Sequence, residues 1–288
     1  MSHLHLPAPS HPLVTLINYD NIQLNAFEKG EKICMDFYKI SFKTDFTGQV
    51  KYGQGYYDFE EGGLAFLNPR QIVTSSEDEN SYEGFSLFFH LDFIRNYPLA
   101  NTINQYGFFS YSVNEALFLS SKEKQVINEL FKTIRTELNN NIDAYSQDVL
   151  VTQIELLLTY SNRFYNRQFI TRKAINNDVV AQLDDLLNTY FENQTSLVNG
   201  LPTVQLISEQ LNTSQRYLSD LLRSLTGLNT QQYLHEKLIE KAKEKLATTT
   251  SSVSEIAYQL GFVHPQSFNK LFKRETNLSP LEFRQSFN

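Results

Sequence analysis

Two segments in the C-terminal part of the chain repeat one plan, and that repeat constrains the fold more than anything else in the sequence. In the second copy Ser252 and Glu255 form an S-x-x-E capping pair, which predicts a helix from Val253 whose free N–H groups point outward, where a phosphate fits. Ile256, Ala257 and Leu260 share one face of it, and Ala257 is small enough to let a crossing helix approach. Gly261 follows where a left-handed turn residue is wanted, and Phe262 fills the gap before the next helix. Pro265 suits the first turn of that helix, since its missing N–H has no partner there to lose. Phe268, Leu271 and Phe272 make its inward stripe, which leaves Gln266, Ser267, Asn269, Lys270, Lys273 and Arg274 outside.

Upstream the plan recurs. Thr203 begins a helix with Leu206, Ile207 and Leu211 inward; Ser208 takes the place of Ala257, and Asn212, which tolerates the left-handed region, the place of Gly261. Ser214 is the expected N-cap of a helix with Leu218, Leu221 and Leu222 inward and Gln215, Arg216, Tyr217, Ser219, Asp220 and Arg223 outward. Both copies end alike, Thr226-Gly227-Leu228-Asn229 against Thr276-Asn277-Leu278-Ser279. Accidental amphipathy does not repeat in this way. Between the copies Gln231 to Leu246 reads as one helix, about 24 Å long at about 1.5 Å per residue. A connector of that order holds two outward-facing helices near one DNA turn apart, about 34 Å.

The strings Ser254-Glu255-Ile256-Ala257-Tyr258-Gln259-Leu260-Gly261-Phe262, Gln266-Ser267-Phe268-Asn269-Lys270-Leu271-Phe272-Lys273-Arg274 and Leu278-Ser279-Pro280-Leu281-Glu282-Phe283-Arg284 together resemble the signature of the AraC/XylS family of bacterial transcription regulators. The resemblance implies an all-α tandem helix-turn-helix half that binds promoter DNA and contacts RNA polymerase. It places Gln215, Arg216, Tyr217, Ser219, Asp220 and Arg223 in the first copy, with His264, Gln266, Ser267, Asn269, Lys270, Lys273 and Arg274 in the second, at base- or backbone-contacting positions. Amides, hydroxyls and cations are the groups that read base edges or bind phosphate. Two positions depart from the family pattern. Asp220 stands where a basic or neutral polar side chain is common, and His264 replaces a stronger helix cap.

A formal net charge of -7 argues against DNA binding until the chain is divided. From Leu201 onward there are 10 Lys/Arg against 8 Asp/Glu, a net +2, which leaves 15 against 24, or -9, before it. So weak a positive charge asks for linked modules and a homodimer to gain affinity. A single cysteine, Cys34, excludes an internal disulfide and a zinc–cysteine cluster, and it suits a reducing cytoplasm. Neither a membrane span nor a signal peptide is legible, so a cytoplasmic location is expected.

The N-terminal part reads as β-rich, with aromatic and β-branched runs in Lys32–Phe42, Gln49–Tyr57, Leu64–Leu67 and Tyr82–Leu91. Gly62-Gly63-Leu64-Ala65-Phe66-Leu67-Asn68-Pro69 resembles an element of the cupin-like sensor barrels that precede many AraC-type DNA-binding halves. A cupin enzyme is the rival reading, but His3 and His5 lie in a Pro-rich leader and His90 stands alone, so neither a metal nor another cofactor is expected, and no catalysis. A barrel among 22 Phe and 16 Tyr is instead suited to a small-molecule effector, a sugar or aromatic metabolite, with Phe37, Tyr52, Tyr56, Phe66 and Phe88 the candidate lining residues. The alternative is that these rings are simply core.

Two amphipathic helices follow, Lys122–Leu138 and Ser146–Phe164, and in the resembling family such a pair serves dimerisation. The expected fold is therefore α+β and multidomain: a disordered leader over 1–20, a cupin-like β-barrel sensor with a helical dimerisation segment over 21–165, a linker over 166–177, and a tandem helix-turn-helix domain over 178–288. The expected function is ligand-controlled transcription regulation, with activation favoured. A DNA-binding regulator without a ligand and a non-catalytic carbohydrate-binding cupin are the alternatives.

Overall fold

The computed structural model describes residues 11–19, 32–46, 49–52, 55–58, 62–74, 82–112, 115–141, 143–171, 173–193 and 195–286. They divide between two compact units, Met1–Thr171 and Arg172–Asn288. In chain order the first holds β1 (Val14–Asn18), β2 (Lys32–Cys34), β3 (Tyr38–Phe46), β4 (Gln49–Tyr52), β5 (Gly55–Asp58), β6 (Gly63–Leu67), β7 (Ile72–Thr74) and β8 (Tyr82–Phe89). Short helices α1 (Leu91–Ile94) and α2 (Leu99–Thr102), strand β9 (Leu117–Phe118) and the long helices α3 (Ser121–Asn139) and α4 (Ser146–Thr171) follow.

The main sheet is antiparallel with strand order β1-β8-β3-β6-β9. Cross-strand partners share a face, so the register assigns every side chain to one of two sides. One side carries Ile40, Phe42, Leu64, Phe66, Phe85, Leu87 and Phe89, all buried. Helix α3 covers it: Phe131 stacks on Phe42 and on Phe85, each with ring centroids 5.6 Å apart, beside buried Ile127 and Ile134. The opposite side carries Lys39, Ser41 and Lys43 of β3 beside Ser86 and Phe88 of β8.

Two expectations change here. Among the described residues the strands do not close into a cupin-like barrel: the five-stranded sheet is open between β1 and β9, and the β2–β7 and β4–β5 pairs are separate two-stranded ladders. At one edge β9 pairs only Leu117 and Phe118, opposite Leu64 and Gly63, too short a strand to carry closure further. The expected linker is helical on both sides of residue 172, because α4 runs on to Thr171. Its polar residues are used locally. The Gln168 side chain accepts from the Phe118 N–H at 2.8 Å and donates to the Ala116 carbonyl at 3.3 Å, while Arg167 pairs with Glu123 at 2.6 Å and donates to the Phe118 carbonyl.

The second unit is all helix: α5 (Lys173–Glu192), α6 (Thr195–Asn199), α7 (Val204–Gln210), α8 (Gln215–Thr226), α9 (Thr230–Thr248), α10 (Val253–Gln259), α11 (Pro265–Thr276) and α12 (Pro280–Gln285). Helix α9 is the axis against which α8, α10, α11 and α12 pack. Leu218, Leu222, Leu234, Leu238, Ile239, Ala242, Ile256, Leu260, Phe268 and Phe272 form one continuous core.

Candidate nucleic-acid interface

Each copy of the repeat builds a helix pair, α7–α8 and α10–α11, by local chemistry legible in its residues. The Ser252 hydroxyl accepts from the Glu255 N–H at 3.2 Å and the Glu255 carboxylate accepts from the Ser252 N–H at 2.6 Å, so the capping box that starts α10 is closed. The Ser252 N–H first, and the Ser252 side chain with it, hold the Glu255 carboxyl below its ordinary range. In the first copy Thr203 caps α7 through the Leu206 N–H at 3.1 Å. Asn212 takes φ 53° and Gly261 φ 95°, the left-handed turns between the paired helices. At Gly261 a Cβ would also lie 2.6 Å from the Gly200 carbonyl, so the residue must be glycine on steric grounds as well. Phe262 is buried with its ring 5.4 Å from Phe268, filling the gap as expected.

The exits repeat with the same atoms. The Thr226 hydroxyl donates to the Leu222 carbonyl at 2.8 Å and accepts from the Leu228 N–H at 3.2 Å; Thr276 does so with Phe272 and Leu278 at the same two distances. Gly227 and Asn277 are both left-handed C-caps, and capping boxes on Asn229 and Ser279 then start α9 and α12.

On α8 the inward stripe of Leu218, Leu221 and Leu222 is buried, Gln215, Arg216 and Arg223 are exposed, and Tyr217, Ser219 and Asp220 are half-buried. Asp220, the departure from the family pattern, binds both arginines: Arg216 Nε donates to it at 3.1 Å and Arg223 Nη1 at 3.2 Å. The carboxylate therefore ties together two guanidinium groups from positions about two helical turns apart, each about one turn from Asp220. On α11 Gln266, Ser267, Asn269, Lys270, Lys273 and Arg274 are exposed, together with His264 at the N-cap, whose side chain makes no capping bond. Arg274, in the last turn, leans on Glu275 at 2.6 Å and approaches His235 of α9 at 3.4 Å, away from the N-terminal end that carries Gln266 and Ser267.

Two further residues stand out by position and exposure. Val263 is 76% exposed beside the start of α11, an apolar group of the kind that meets a thymine methyl. Arg284, known only as the end of a motif, donates through Nε to the Leu246 carbonyl at 3.2 Å and through Nη2 to the Ser251 carbonyl at 2.7 Å. It closes the C-terminal end of α9 onto the loop that enters the second copy.

A helix-turn-helix domain family model matches residues 207–286, which span α7 to α12. Over that stretch the chain is similar to AraC-type transcription regulators. The transcriptional activator RhaS of Salmonella paratyphi B is 33% identical to this chain over 141 residues, 49% of this chain and 46% of that protein. Its counterpart in Salmonella schwarzengrund is 34% identical over 140 residues, with the same shares of the two chains. This chain thus spans about half the length of the curated relatives it matches. Among solved structures, the C-terminal domain of the response regulator yesN from Fusobacterium nucleatum is 33% identical, covering 35% of this chain and 95% of that one at a TM-score of 0.30. Both Salmonella relatives are named transcriptional activators.

Of the candidate effector residues of the other unit, Phe66 and Phe88 face opposite sides of the sheet. Phe66 belongs to the core: its ring lies 4.3 Å from that of Phe108 and 5.5 Å from that of Phe109, on the side of the sheet opposite Phe88. Phe37 is half-buried, edge-on to His90 at 5.3 Å, and Phe88 is half-buried with the Lys39 ammonium 5.5 Å from its ring. Tyr52 and Tyr56 lie on the paired strands β4 and β5, opposite Gly55 and Lys51, and their side chains lie outside the described residues. Among the described residues no helix is long and apolar enough to cross a membrane, and no group of three or more His, Cys, Asp and Glu is arranged to hold a metal.

Proposed function

We propose that this chain is a sequence-specific DNA-binding transcription activator whose tandem helix-turn-helix half reads promoter DNA and whose N-terminal half senses a small molecule. The observation that carries the first part is the repeated outward face: Gln215, Arg216 and Arg223 on α8, and Gln266, Ser267, Asn269 and Lys270 on α11, stand exposed on helices fixed to one connector. That connector, nineteen residues of α9, is about 28 Å long. Two recognition helices carried this way suit successive major grooves on one face of a duplex. Activation follows the relatives, which are named transcriptional activators, and it implies contact with RNA polymerase.

Homodimerisation through α4 completes the reading, since Val149, Leu156 and Ile170 leave apolar surface on an otherwise well-packed helix. In this scheme an effector bound by the N-terminal half alters how the two DNA-reading halves of the dimer are presented. The test is binding to duplexes selected from a random pool, followed by salt titration of Lys270→Ala. If Lys270 meets phosphate, the variant binds more weakly and its salt slope falls by about one. Failure of the wild-type protein to retain any duplex at low salt overturns the proposal.

A further inference from the structure

The turns of the two helix pairs differ in length, and main-chain hydrogen bonds show where. In the first copy the Thr213 N–H donates to the Ser208 carbonyl at 2.9 Å; in the second the Phe262 N–H donates to the Ala257 carbonyl at 3.0 Å. Since Ser208 and Ala257 are matching positions, Thr213 and Phe262 are counterparts. Ser214, the N-cap of α8, follows Thr213 directly, whereas the N-cap of α11 is His264. The second turn therefore holds one residue more than the first, and that residue is Val263.

The residues on either side of it have tasks in the fold. The apolar residue just ahead of an N-cap ordinarily packs on the fourth residue of the helix, which here is Phe268. Phe262 has taken that place: it is buried, with its ring 5.4 Å from that of Phe268. The His264 carbonyl accepts from the Ser267 N–H at 3.0 Å and so opens the first turn of α11. Val263 is left 76% exposed. Its surroundings are stiff all the same. Pro265 fixes its own φ and confines the residue before it to extended conformations, and His264 accordingly stands at φ -129° and ψ 123°. A β-branched side chain adds few rotamers of its own.

We infer that Val263 reads one thymine of the DNA site through its 5-methyl group. The assignment rests on the DNA-reading proposal above and names one base of the target. The N-terminal residues of a recognition helix meet base edges in the major groove, and Val263 stands just ahead of exposed Gln266 and Ser267 on α11. The thymine methyl is the one apolar group that a base edge shows there. Every other position is a donor or an acceptor, which a valine would cover without offering a bond in return. The shorter turn of the first copy carries Asn212, Thr213 and Ser214 instead, so the two half-sites are read by different chemistry.

The experiment uses duplexes that the full-length wild-type protein selects from a random pool, with each thymine replaced in turn by uracil, which removes the methyl and leaves base pairing unchanged. Dissociation constants are measured for the wild type and for Val263→Ala, which is expected to melt like the wild type because the side chain is exposed. At one position uracil should weaken wild-type binding by about fourfold, the worth of about one buried methyl group. Val263→Ala should bind the thymine duplex more weakly by a similar factor and respond to uracil at that position by less than about twofold. Tolerance of uracil at every thymine by the wild type, or an equal uracil penalty in the two proteins, would overturn the assignment and leave DNA binding in place. Retention of no duplex at low salt would instead overturn the DNA-reading proposal itself, and the assignment with it.

Discussion

Gly261 offers the sharpest test of how the second helix pair is built. Its replacement by alanine meets two separate penalties. At φ 95° an L-residue is outside its comfortable range, which costs about 1–2 kcal/mol. The new methyl would also lie 2.6 Å from both the carbonyl carbon and oxygen of Gly200 and 2.8 Å from the Leu201 nitrogen, backbone atoms that cannot rotate aside. The Gly200 carbonyl is itself engaged, accepting from the Tyr190 hydroxyl at 3.0 Å, so relief requires moving that turn and loosening the bond. Together these give a destabilisation of about 3 kcal/mol or more. Hydrogen exchange in peptides covering α10 and α11 of the full-length protein is the assay, because it reads local opening without requiring the whole chain to unfold in one step. A loss of that size accelerates exchange by roughly two orders of magnitude. Asn212→Gly, at the matching turn of the first copy, is the control, since φ 53° suits glycine and the change should move exchange in α7 and α8 only slightly. If Gly261→Ala exchanges within tenfold of the wild type, the account of this turn is wrong.

Asp220→Ala should change stability by about 1 kcal/mol or less, since both arginine partners are exposed and such pairs contribute little. It should nevertheless free Arg216 and Arg223, raising affinity for scrambled duplexes and lowering the ratio of selected to scrambled binding; an unchanged ratio in competition titrations would remove the positioning role. Glu255, held below its ordinary range by Ser252, and Glu282, held down by the Ser279 hydroxyl and N–H, contribute stability that is present above the unfolded carboxyl value near 4.5 and is lost as pH falls through the depressed folded values. The double variant Glu255→Gln and Glu282→Gln, which removes both titrating groups, should therefore flatten the acid limb of a circular-dichroism titration, and an unaltered limb would count against it. Phe131→Ala, which removes the ring between Phe42 and Phe85, should cost about 3–5 kcal/mol in denaturant unfolding of the N-terminal unit. A loss under about 1 kcal/mol would mean that α3 does not anchor that sheet.

What could be read in advance divides along the range of the interactions responsible. Caps, left-handed turn residues and inward stripes act over a few neighbouring residues, so α7, α8, α10 and α11 were legible from Thr203, Ser214, Ser252, Asn212 and Gly261. The polarity of Arg167 and Gln168 suggests a linker, whereas each spends a hydrogen bond on Phe118 of β9, some fifty residues back in the chain. Strand pairing is likewise non-local. Phe66 and Phe88 are equally aromatic, and only the register places them on opposite sides of the sheet.

The matching exits of the two copies bear on something different, the phase between them. Asn229 opens α9 with the same capping box with which Ser279 opens α12, so α9 is the third helix of the first copy, nineteen residues long where its counterpart has six. The spacer is thus one prolonged element of the repeat, and it is rigid in torsion as well as in length. Removing one residue between Lys241 and Lys245 would shift the second module by only about 1.5 Å along the axis but turn it by about 100° about that axis. Such a deletion would leave both reading helices folded and point one of them away from the DNA.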